Sequence, residues 1–87
     1  MHAIVIHADI SDVEQATKGL EEEVIPMMQQ TAGFVAAYFV AVDDSHGVSI
    51  EVFETEEQAR QAAPPEGTEA PGVKLAKLQI GPVVGSA

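Results

Sequence analysis

Residues 33–55 read GFVAAYFVAVDDSHGVSIEVFET: an apolar strand, a polar turn and a second strand. The first strand is apolar at both parities. Strict alternation sends Phe34, Ala36, Tyr38, Val40 and Val42 to one face and Val35, Ala37, Phe39 and Ala41 to the other. A strand with one wet face alternates apolar with polar residues, so this one needs cover on both sides. A chain of 87 residues can supply helices for one face of a sheet. The second face then calls for another copy.

Outward from the hairpin, His2–Ala8 (HAIVIHA) is a short Ile/Val-rich strand. Ser11-Asp12-Val13-Glu14 fits a capping box with Ser11 at the N-cap. The helix it opens carries an apolar stripe at Val13, Ala16, Leu20, Val24, Met27 and Thr31. Pro26 interrupts it, so the expectation is a kinked helix or a break near Val24. Gly33 suits the left-handed position that ends a helix. Thr55-Glu56-Glu57-Gln58 is a second capping box, opening a short helix to about Ala63 with Ala59 and Ala62 as its contact face. The segment PPEGTEAPG then reads as a mobile loop, and Val73–Val84 as a final strand punctured by Gly81-Pro82.

The expected fold is one α+β domain over residues 1–87, ferredoxin-like βαββαβ with a four-stranded antiparallel sheet. Right-handed crossovers place both helices on one face. The other face stays bare and apolar, which predicts a homodimer packed sheet to sheet into an α+β barrel.

Composition narrows the partners. Fourteen acids against four Lys and Arg give a net charge of −10, which repels nucleic acid and anionic membrane surfaces. The absence of cysteine excludes disulfides, thiolate metal sites and a thiol nucleophile. The N-terminal run lacks a basic leader and is too short to span a membrane, so the expected location is cytoplasmic.

No constellation of residues specifies a reaction. His7 is a candidate base in a pocket, or a hydrogen-bonded strand histidine. Tyr38, the only tyrosine, can orient a ligand or pack at an interface, the second being expected. Glu51 is a base if it faces a dry cleft, but the expected arrangement is a cross-strand pair with Lys74 or Lys77. His2 and His7 fall on opposite faces of one strand, and Asp43, Asp44 and His46 read as a solvated turn, so no metal site and no cofactor are expected.

The helix carrying Pro26, the Ala32-Gly33-Phe34 that follows it and the stretch EVFETEEQA (51–59) resemble the dimeric α+β barrel superfamily. Within it the chain is most similar to the small antibiotic biosynthesis monooxygenase-like proteins, over Ile4 to about Ile80. The resemblance implies a homodimer with a cleft between each sheet and its helices, or between the two sheets, for an apolar or aromatic ligand, and, as an alternative, cofactor-independent oxygenation of an aromatic or quinol substrate. Several members of that family work with Asn, Trp and His in the cleft; this chain has neither Asn nor Trp. The first functional expectation is therefore a ligand-binding dimer without a catalytic motif, with the oxygenase and a purely structural or regulatory dimer as rivals.

Overall fold

The Ile/Val-rich first strand, β1 (His2–Ile10), lies at the middle of the sheet. A computed structural model describes residues 1–87. After β1 come α1 (Val13–Gly19), a π-helical turn (Leu20–Val24) and α2 (Ile25–Gln29). Then follow β2 (Phe34–Ala41), β3 (His46–Phe53), α3 (Glu56–Ala62), β4 (Glu69–Ala70) and β5 (Val73–Pro82). The fold is α+β, with an antiparallel sheet in the order β2-β3-β1-β5-β4. That order is compatible with a ferredoxin-like arrangement, but the sheet has five strands where four were expected.

The extra strand comes from the segment read as a mobile loop. Pro71-Gly72 forms a tight turn that pairs Glu69 with Lys74 and Ala70 with Val73. Pro sets φ before the turn's second residue, and Gly72 takes φ +82°, a type II signature. The same loop guards the edge of β5, where the Leu78 N–H donates to a Glu66 carboxylate oxygen at 2.9 Å. No helix is long and apolar enough to cross a membrane.

Register assigns the faces. Residues opposite one another across a ladder share a face. Ile4 lies between Glu51 and Ile80, Ile6 between Ser49 and Leu78, and Glu51 and Ser49 in turn oppose Ala37 and Phe39. This is the helix face, where Ile4, Ile6, Phe53 and Ala59 of α3 form the buried core. The other face carries Tyr38, Ile50 and Val5 in one row and Val40, Val48 and His7 in the next.

Two insertions change the expected phase. A bulge between Phe34 and Ala36 moves Phe34 onto the helix face, opposite Phe53, instead of beside Tyr38. The two rings meet edge to face, with centroids 6.0 Å apart. In the first helix the chain runs through Pro26 without a break. Its missing N–H is accommodated by the π turn just before it, in which the Ile25 N–H donates to the Leu20 carbonyl five residues back. The wider turn rotates everything after it. Ile25 and Met28 turn toward the sheet, and Met27, expected on the apolar stripe, is exposed.

The caps hold with one shift. Thr55 accepts from the Gln58 N–H at 3.1 Å, as expected. At α1 the cap is Asp12, which accepts from the Gln15 N–H at 3.1 Å, and not Ser11. The Ser11 N–H is instead committed to the Gly72 carbonyl at 2.9 Å, which ties the start of α1 to the β4–β5 turn. Gly33 has φ +79°, the left-handed conformation expected after the helix.

Candidate functional site

The core lies under α3. The first helical segment contributes nothing to it, since no residue of α1, the π turn or α2 is buried. This follows from the residues available. Ala59 and Ala62 pack α3 against the core, whereas Glu21, Glu22 and Glu23 are exposed and Ile25 and Met28 are half-buried. A half-open cavity of about 290 Å³ results between α2 and the edge strand β2. Its walls are apolar apart from Gln29: Ile25 and Met28 of α2 face Phe34, Ala36, Ala37, Tyr38 and Phe39, from both faces of the edge strand β2. That volume is just below the range of about 300–1,000 Å³ usual for small-molecule sites.

Glu51 does not line this cavity but neighbours its wall. It lies on the helix face of β3, directly opposite Ala37, whose methyl group is part of the cavity wall. Only 4% of Glu51 is exposed, and its Oε2 has no hydrogen-bond partner. The expected pair with Lys74 or Lys77 does not form. The neighbours of β3 are β1 and β2, whereas both lysines are on β5, Lys74 opposite Asp9 and Lys77 opposite His7. Removal from water, with no donor or cation to offset it, raises the Glu51 pKa from 4.5 to about 7.

The three candidate residues do not converge. His7 is exposed on the outer face, in the row with Val48 and Lys77. Tyr38 is also on the outer face, 68% exposed, and lines the cavity where it wraps the edge of β2. Glu51 alone lies on the helix face. His2 and His7 fall on opposite faces, as their spacing requires. Asp43 closes the β2–β3 turn: it accepts from the Ser45 N–H at 2.7 Å and contacts His46 Nδ1 at 3.0 Å. Those hydrogen bonds, the one from Ser45 first, hold the Asp43 carboxyl below its usual pKa.

Ile25 and Phe34 were not foreseen as cleft residues. Their places depend on the π turn, whose only local signal is Pro26, and on the β2 bulge, which has none. The isolation of Glu51 was not read from the sequence; it follows from the sheet order, which puts β1 between β3 and β5. No family model matches the chain, and no curated protein or solved structure is detectably similar to it.

Proposed function

We propose that the protein is a homodimer of the dimeric α+β barrel type that binds a small apolar or aromatic molecule between its first helix and its sheet. The observation that carries the ligand is the apolar cavity bounded by Ile25, Met28, Phe34 and Phe39. A core helix ordinarily buries its apolar stripe. Here the stripe borders open space, and a ligand would complete the packing. Native mass spectrometry of the protein as purified tests this reading directly. The expected result is a dimer carrying a small additional mass that disappears on denaturation. A protein that carries no such mass, and takes up no small apolar or aromatic compound from a screen, sinks the binding function.

The dimer rests on the other face. Tyr38, Val40 and Ile50 are 68%, 55% and 42% exposed and are neighbours through the β2–β3 register. With Val5 and Val48 beside them they make a continuous apolar patch on an acidic protein. A second copy offers the same surface, and two such sheets stack about 10 Å apart. Tyr38→Asp and Ile50→Asp should therefore convert a dimer into a monomer in light scattering. Phe39→Asp, on the helix face, should damage folding instead. Variants at 38 and 50 that both remain dimers would exclude the sheet-to-sheet interface.

The enzymatic alternative, a cofactor-free oxygenase or isomerase, has one observation in its favour: a buried carboxyl poised near neutrality beside an apolar cavity. In that reading Glu51 takes the proton. His7 and Tyr38, on the opposite face, then act only from a partner's side of the interface or not at all.

A further inference from the structure

The unsatisfied group beside the cleft points to a ligand chemistry. Three buried polar atoms lack partners: His2 Nδ1, Gln58 Oε1 and Glu51 Oε2. The first two lie at the start of α3. His2 reaches toward Glu56 at 3.6 Å, and Gln58 covers Gly33. Glu51 is the one ionisable group of the three that is almost wholly buried and has neither a donor nor a counter-charge.

No Lys or Arg of the chain pairs with it. The four Lys and Arg residues are Lys18, Arg60, Lys74 and Lys77. Arg60 pairs with Glu56 at 2.9 Å. Lys74 stands between Asp9 and Glu69 in the ladders, Lys77 is on the outer face opposite His7, and Lys18 is exposed in the last turn of α1. Ala37, the smallest side chain with a Cβ, stands opposite Glu51 across the β2–β3 ladder and lines the apolar cavity, which Glu51 itself does not line. Cross-strand neighbours have their Cβ atoms about 5 Å apart, which puts Glu51 one strand spacing from the cavity wall at Ala37.

We infer that the cleft takes an amphiphilic amine, its hydrocarbon part against Ile25, Met28, Phe34 and Phe39 and its ammonium group on Glu51. This rests on the binding function proposed above and names the ligand class for that same cavity. An ammonium supplies both things Glu51 lacks, hydrogen-bond donors and a positive charge. The net charge of −10 draws cations toward the molecule before any contact is made. A neutral alcohol of the same length fills the apolar part equally and leaves the charge unpaired.

The test is an NMR titration at pH 8 of the intact protein and of Glu51→Gln with hexylamine and with hexanol, followed at the amides of Met28, Ala37 and Phe39. In the wild type hexylamine should bind at least about tenfold more tightly than hexanol. In Glu51→Gln hexylamine should fall to the level of hexanol, and hexanol should bind as before. Equal binding of the two probes to the wild type would overturn the amine and leave the cleft standing. An amine preference that survives in Glu51→Gln would overturn it too, assigning the preference to the acidic surface. No shift at these amides with either probe would remove both the amine and the cleft.

Discussion

Glu51→Gln should be more stable than the wild type at pH 8 and indistinguishable from it at pH 4. The carboxyl has a pKa of about 7 in the fold against 4.5 when exposed. Below pH 4.5 it is protonated in both the folded and unfolded chain, and its burial carries no penalty from charge. Between 4.5 and 7 the unfolded chain loses the proton first, so the folded state weakens as pH rises. Above 7 both states are ionised and the full difference is expressed. At about 1.4 kcal/mol per pKa unit that difference is about 3 kcal/mol, a large part of the stability of a small domain. Urea unfolding of the two proteins at pH 4, 6 and 8 measures it. The difference between them isolates Glu51 from the general repulsion among the other acids. A constant gap across the three pH values would mean that Glu51 is not held in a dry site. A bound cation on Glu51 would reduce the gap, because it supplies the missing counter-charge; the ligand-free protein is the one to compare.

Gly72→Ala should destabilise the protein by about 3 kcal/mol, whereas Gly67→Ala should cost about 1 kcal/mol. Both glycines have positive φ, +82° and +84°, so both substitutions carry the same penalty for an L residue in the left-handed region. They differ in what surrounds them. A Cβ on Gly72 would lie 2.6 Å from the Asp12 carbonyl and 3.0 Å from the Ala16 nitrogen, both backbone atoms at the start of α1. A Cβ on Gly67 meets nothing within 4 Å. The clash at Gly72 is relieved only by moving α1 away, which also breaks the hydrogen bond from the Ser11 N–H to the Gly72 carbonyl. Thermal unfolding of the two variants separates the terms. Equal losses would mean that the β4–β5 turn does not anchor α1.

The α+β class, the antiparallel sheet and the order of its major elements were legible in the sequence because each depends on local signals. Ile/Val runs, capping residues and the Gly at the end of the first helix act within a few positions of themselves. The close packing of α3 through Ala59 and Ala62 was legible for the same reason. The composition of Phe34–Ala41 also determined that one sheet face would be apolar and uncovered by the chain itself. The tertiary structure decided which residues share a face. One extra residue in β2 sends Phe34 inward, and one widened helical turn exchanges Met27 for Met28. Each is an insertion into a periodic pattern. Its local energetic cost is small, and it is set by what the distant partner strand or face requires. Glu51 shows the same division. Its residue type and its place on β3 were in the sequence. Its isolation from every lysine was decided by the sheet order, which places β1 between β3 and β5.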